Sequence, residues 1–269
     1  MNYRHGYHAG NFADVVKHIA LVAVLLHLKK KDAAFSVVDS HGGRGAYDLS
    51  GEQSVRTGEA EKGVARLRDL SGDMPEALST YLWLVKESGL YPGSPLIAAK
   101  LLRPQDRLTT VEKHPEEFAA LKQALTPFRN AVVEQSDGYS RAVKLSPPPS
   151  RRGLVLLDPP FESPDEFSGL ARTLRDAYRK FATGIYLVWY PVKSHAEANA
   201  FTGEVLAGGV TKAMAVDSAI SAPEGKLNRA GLLVINPPYG FDAALQAVAA
   251  LIAPKLEAAI TTQWIAGSE

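Results

Sequence analysis

Between Leu108 and Ile235 short apolar runs alternate with helix-length stretches, and this alternation leaves few architectures open. Leu108–Glu112, Ala131–Glu134, Gly153–Leu157, Gly184–Trp189, Lys212–Ile220 and Gly231–Ile235 read as strands. Pro115–Leu125, Tyr139–Leu145, Glu166–Phe181 and His195–Leu206 read as helices between them. Ala34–Asp39, rich in Val, is a further strand upstream. Strands separated by helices must run largely parallel, so the pattern predicts an α/β, Rossmann-like, doubly wound sheet of seven strands. No helix of useful length separates the last two strands, and the last is expected to run antiparallel.

The N-terminal part adds two features. Asn11–Lys31 reads as a helix with Asn11 as its N-cap, Asp14 in its first turn and lysines at its end. From Gly51 to Tyr91 helix-period segments (Gly58–Leu70 and Pro75–Ser88) are broken by Ser71-Gly72-Asp73, which predicts a small helical subdomain over 51–90 inserted into a main domain of 1–50 and 91–269. Tyr91-Pro92-Gly93-Ser94-Pro95 then opens a helix, with Ser94 expected as N-cap and Pro95 in the first turn.

Composition excludes several classes. There is no cysteine, hence no disulfide framework and no thiolate metal site, and the histidines converge with no set of carboxylates, so no metal is expected. The longest apolar stretch, Ile19–Leu26, is far shorter than the roughly 20 residues of a membrane span. Met1–His5 lacks the apolar core of a secretory signal, and a cytoplasmic monomer without an obligate protein partner is expected. The net charge of +1 does not announce a nucleic-acid binder. Arg4, Lys17, Lys29, Lys30 and Lys31 against the single acid Asp14 make a basic arm that can track phosphates, or a solvated helix end.

Polar residues recur at the strand ends. Asp39-x-His41-x-Gly43-x-Gly45 is a glycine-rich turn that departs from the dinucleotide fingerprint. Glu112 ends the next strand, where an acid holds ribose hydroxyls. It lies about 70 residues past that turn, where about 20 is usual, and the insertion accounts for the excess. Asp137-Gly138 follows the strand after it. Acids at successive strand ends, on the side where open α/β sheets bind ligands, suit an adenosine-containing cofactor.

The strongest motif is Leu154–Leu157 followed by Asp158-Pro159-Pro160-Phe161. An exocyclic base amine is a weak nucleophile because its lone pair is delocalised into the ring. The Asp158 carboxylate and the Pro159 carbonyl can accept its two N–H bonds and aim that lone pair at a methyl sulfonium. The prolines stiffen the turn, Phe161 offers a face for stacking, and Asp158 can take the proton released. The base must be unpaired or flipped out to arrive there. Asn236-Pro237-Pro238-Tyr239 matches the amino-methyltransferase pattern of Asp/Asn/Ser-Pro-Pro-aromatic more literally. It follows the antiparallel strand, however, and is expected at the opposite end of the sheet in a structural role.

Tyr3-Arg4-His5-x-x-His8-Ala9-Gly10-Asn11-x-x-Asp14-x-x-Lys17-His18, with Tyr91–Pro95, Asp158–Phe161 and Phe181-Ala182-Thr183-Gly184-Ile185-Tyr186, strongly resembles the RlmJ family of 23S ribosomal RNA adenine-N6 methyltransferases, nearly end to end. The resemblance implies a class I methyltransferase fold and S-adenosylmethionine as cofactor. It implies cofactor contacts from His18, His41, Ser94, Glu112, Asp137, Gly138 and Asp158, with Asp158 as proton acceptor and Arg4 against the RNA. The implied substrate is one adenine of naked or partly assembled 23S rRNA. Phe161 stands where the family usually has Tyr. Taken alone, His18 sits one helical turn after Asp14 and can simply pair with it. A DNA adenine methyltransferase and a DNA-binding protein for uptake or use of external DNA are the competing readings.

Overall fold

The computed structural model describes residues 5–223 and 226–268; Arg4 lies outside them. The central sheet has eight strands: β1 (Ser36–Asp39), β2 (Arg107–Glu112), β3 (Ala131–Gln135), β4 (Gly153–Leu157), β5 (Ile185–Pro191), β6 (Ala213–Ile220), β7 (Arg229–Ile235) and β8 (Ala258–Ala266). Their spatial order is β3-β2-β1-β4-β5-β7-β6-β8. The pairs β1–β2, β1–β4, β2–β3 and β4–β5 are parallel, whereas β7 runs antiparallel to both β5 and β6. The expected antiparallel strand is thus threaded between β5 and β6 rather than set at the sheet edge.

The eighth strand, β8, is one more than the sequence pattern predicts. It pairs antiparallel with β6 and forms the edge. Its residues alternate between half-buried and exposed, so no continuous apolar run marks it.

Alternation within the central strands explains the layers. Leu154 and Leu156 of β4 face one apolar cluster, and Val155 and Leu157 face another. With both faces covered, a strand must be apolar throughout, as β4 is. The first cluster is filled from α1 (Phe12–Lys29), α4 (Glu76–Glu87), α5 (Ser94–Leu101), α6 (Pro115–Leu125) and α10 (Phe241–Leu256). The second is filled from α8 (Glu166–Lys180) and α9 (His195–Ala207), with Ala142 of α7 (Gly138–Lys144).

α1 is buried over most of its length, and Asn11 accepts the Asp14 amide at 2.9 Å, as an N-cap should. The segment 51–90 is helical but more broken than its periodicity predicts. An unexpected helix, α2 (Glu52–Thr57), comes first, and in place of one helix over 58–70 there are α3 (Glu59–Lys62) and a 3-10 turn at Val64–Leu67. Gly58, at φ +65°, ends α2, and Gly63 lies against the Gly10–Asn11 backbone where a Cβ would clash. Leu67, Leu78, Tyr81 and Leu84 of this segment share the apolar cluster of α1.

Candidate active site

The C-terminal ends of β1, β2 and β4 lie level, because Asp39 pairs in register with Thr110 on one side and Leu156 on the other. The chain leaves the sheet there at Asp39, Glu112 and Asp158, and one strand further out at Asp137. A cleft runs over these ends in three adjoining compartments, and Pro160 lines all three. The first compartment is bounded by Lys17, His18, Gly42, Gly43, Ser94, Glu112 and Asp158. The second lies over His41, Glu112, Asp137, Gly138, Tyr139 and Glu166. The third opens on the other side of Asp158, between Asn11, Phe161, Trp189, Pro191 and Lys193. Every cofactor residue expected from the sequence borders the first or second compartment, and Phe161 borders the third.

Local chemistry fixes these side chains. Glu112 accepts the Gly43 amide at 2.9 Å and the His114 amide at 2.7 Å, one on each carboxylate oxygen. Burial raises its pKa. Gly43 can turn its amide there because it sits at φ +57°, in the left-handed region. Gly138 lies so close to the Ser40 carbonyl and the His41 ring that a Cβ would come within 2.1 Å of the former. Asp137 is the N-cap of α7 and accepts the Ser140 amide at 2.8 Å.

His41 is held from both sides. Ser40 Oγ lies 2.7 Å from His41 Nδ1 and 3.0 Å from the Leu156 carbonyl. A carbonyl only accepts, so the hydroxyl proton goes to it and Nδ1 donates to Ser40. Burial lowers the His41 pKa to about 4, so the ring is neutral at physiological pH. Its edge meets the ring of Tyr139, whose hydroxyl donates to Glu166.

One expectation is corrected, and another is met together with a further bond. Ser94 is not the N-cap of α5; Gly93 takes that position. The Ser94 hydroxyl instead donates to Asp39 at 2.7 Å, across 55 residues of sequence. His18 stands 3.9 Å from Asp14 and bonds Tyr91 through Nδ1 at 2.9 Å, while Tyr91 reaches Tyr81 of α4 at 3.2 Å. Asp14 accepts the Gly10 amide at 3.0 Å and pairs with Lys17 at 2.7 Å.

Lys17, expected in a basic arm or a solvated helix end, is instead buried between two carboxylates, and Asp39, given no role from the sequence, is buried with it. Lys17 Nζ lies 2.5 Å from Asp158 and 2.7 Å from Asp14, fully inside the protein. Burial opposes its charge, but Asp14 and Asp158 outweigh that and hold its pKa above the ordinary lysine value. The signal was the spacing Asp14-x-x-Lys17, which puts both on one face of α1. Asp39 is buried beside them, and burial raises its pKa to about 7 despite the Ser94 hydrogen bond. It was visible only as the first residue of the glycine-rich turn.

The second Pro-Pro-aromatic motif is elsewhere. Ile235 pairs with Tyr186 near the start of β5, so Asn236 emerges at the end of the sheet opposite Asp158. Its amide donates to the carbonyls of Ala182 and Gly184 at 2.8 and 2.7 Å. Among the described residues no His, Asp and Glu side chains group as metal ligands.

A central sheet of order 3-2-1-4-5-7-6 with the seventh strand antiparallel to both its neighbours, β8 added antiparallel at the edge, and a cleft over the ends of strands 1, 2 and 4, defines a class I methyltransferase. A family model described as ribosomal RNA large subunit methyltransferase D, RlmJ, matches residues 32–266, and the chain belongs to that family. Ribosomal RNA large subunit methyltransferase J of Haemophilus influenzae is 35% identical over 98% of this chain and 99% of its own length. The Escherichia coli protein of the same name is 37% identical over 98% and 99%. A crystal structure of a Legionella pneumophila protein, 32% identical, superposes with a TM-score of 0.89 over 97% of this chain and 99% of that one.

Proposed function

We propose that the protein transfers a methyl group from S-adenosylmethionine to the N6 amine of an adenine in 23S ribosomal RNA, and that the three compartments divide the work. The observation that carries this reading is the position of Asp158. Its carboxylate lies in the wall common to the first and third compartments, within reach of a ligand on either side.

The residues fit the cofactor. Asp14 and Asp158 both pair with Lys17, and Asp39 lies beside them, so two carboxylates against one ammonium suit a ligand carrying a sulfonium and an ammonium. Glu112, though it accepts backbone amides on both oxygens, keeps acceptor capacity for a ribose hydroxyl. The close seat of Gly138 on Ser40 and His41 leaves the second compartment open beside Asp137 for an adenine. His18, Ser94 and Asp158 would hold the methionine end. S-adenosylmethionine, when bound, supplies an electrophilic methyl group on sulfur.

The chain's own residues supply the rest. The third compartment takes the flipped base, with Phe161 offering a ring and Trp189 meeting Phe161 edge-on at 5.9 Å. Asp158 and the Pro159 carbonyl accept the two N6–H bonds. Asp158 takes the proton as the nitrogen becomes bonded to carbon. Lys17, shared between Asp14 and Asp158, keeps the carboxylate aimed and offsets its charge. Arg4 would meet the RNA. The insertion over 51–90 remains, on this reading, a subdomain of a methyltransferase domain formed by 1–50 and 91–269. No helix among the described residues is long and apolar enough to cross a membrane.

The test is methyl transfer from labelled S-adenosylmethionine to 23S rRNA fragments and to duplex DNA, with detection of N6-methyladenine. Label in RNA that disappears with Asp158→Ala supports the reading. Label in duplex DNA alone, or undiminished transfer by Asp158→Ala, overturns it.

A further inference from the structure

The wall between the first two compartments contains a polar group that the rest of the protein leaves unused. His114 follows Glu112 by two residues and occupies the N-cap of α6. A polar residue there ordinarily turns its side chain onto the first amides of the helix. His114 makes no such bond. Its Nδ1 is buried and has no hydrogen-bond partner among the described residues. Its backbone amide, by contrast, donates to Glu112, which ties the base of the ring to that carboxylate. His114 and Glu112 line both compartments, so the two stand together at the neck that joins them. Buried polar atoms in folded proteins are nearly always paired, and an unpaired one in the wall of a pocket calls for a partner that the protein does not supply.

We propose that His114 is a cofactor-contacting residue that bonds a ribose hydroxyl of S-adenosylmethionine, beside Glu112. This rests on the cofactor reading above. The ribose joins the methionine sulfur to the adenine, so it must lie where the two compartments meet. Glu112, as a carboxylate, can only accept. A hydroxyl both donates and accepts, so it satisfies the imidazole nitrogen in either tautomer. The pair therefore reads the sugar by two different chemistries, and His114 makes the site sensitive to a hydroxyl that a lone carboxylate would hold less firmly.

The test is a cycle between residue and ligand. Titration calorimetry measures S-adenosylhomocysteine and its 2′-deoxy and 3′-deoxy analogues against the unaltered protein and His114→Ala. Loss of one hydrogen bond is expected to weaken S-adenosylhomocysteine binding about 10-fold in His114→Ala. One of the two deoxy analogues should bind the unaltered protein correspondingly less well, yet suffer no further loss in the variant. Should His114→Ala fail to fold, His114→Asn carries the same cycle, because Asn caps α6 but is too short to keep a nitrogen at the neck. Additive losses for both analogues, or unchanged affinity in the variant, overturn the proposal and leave the cofactor reading standing. Absence of any binding by the unaltered protein overturns both.

Discussion

Replacing Asn236 separates the two Pro-Pro-aromatic motifs by their consequences. The Asn236 amide donates to two carbonyls, at 2.8 and 2.7 Å, and the residue sits at φ +53°. Each bond contributes about 1 kcal/mol net. A left-handed conformation costs Ala roughly another 1 kcal/mol, which Asn tolerates better. Asn236→Ala should therefore lose about 3 kcal/mol of stability, a fall in Tm of very roughly 6–12 °C for a chain of this size. Asn236→Gly loses the bonds without the conformational strain and should lie between the two. Denaturant unfolding gives the stabilities, and methyl transfer well below the transition gives the activity per folded molecule. Both variants should keep that activity within about twofold, since nothing at the Asp158 end of the sheet changes. A loss of tenfold or more in folded Asn236→Gly would refute the argument from strand direction and make Asn236 the reacting motif.

Other expectations follow from the cleft. Asp158→Asn should lower the single-turnover rate by at least about 100-fold, as loss of a general base does, with cofactor affinity changed much less; parallel losses in both would mean that Asp158 acts only on the cofactor. Asp39, with its pKa raised by burial to about 7, favours the folded state when protonated. Its contribution is full below the ordinary carboxylate pKa and is lost as pH rises through about 7, so the stability of the unaltered protein relative to Asp39→Asn should fall across pH 4–7 in urea titrations; a flat difference would show that Asp39 is not held protonated. Lys193→Ala, in the wall of the third compartment, should lower the slope of log affinity for RNA against log salt by about 1 if the base enters there; an unchanged slope would remove Lys193 from the phosphate path. Tyr91→Phe leaves His18 Nδ1 without its partner and should weaken S-adenosylhomocysteine binding measured by calorimetry as well as lower Tm; an effect on Tm alone would detach this hydroxyl from the pocket.

The parts of the fold that local chemistry determines were legible in the sequence. The apolar run of β4, its stop at Asp158-Pro159 and the cap at Asn11 each follow from a few adjacent residues. The eighth strand was not legible, because its half-buried and exposed residues alternate and leave no apolar run. Neither was the break in the helical segment 51–90, where Gly63 matters through its contact with Gly10 and Asn11 rather than through its neighbours. In the site the same boundary holds. Glu112 and Asp137 could be placed because strand ends align in a parallel sheet. The turn of Ser94 toward Asp39, and the reach of Lys17 to Asp158 across 141 residues, depend on how α1 and α5 pack against the sheet.

Asp14, Lys17 and His18 occupy little more than one turn of α1, a helix otherwise filled with core residues such as Ile19, Leu21 and Leu25. On the proposed mechanism, Asp158 therefore takes its aim, through Lys17, from a rod embedded in the interior. If Lys17 aims Asp158 as proposed, packing around α1 bears on the chemistry, and a methylene lost at Leu21 or Leu25 is expected to lower turnover more than its loss of stability alone accounts for. Conservative aliphatic exchanges along α1 should then lower turnover more than equally buried exchanges in α10 do.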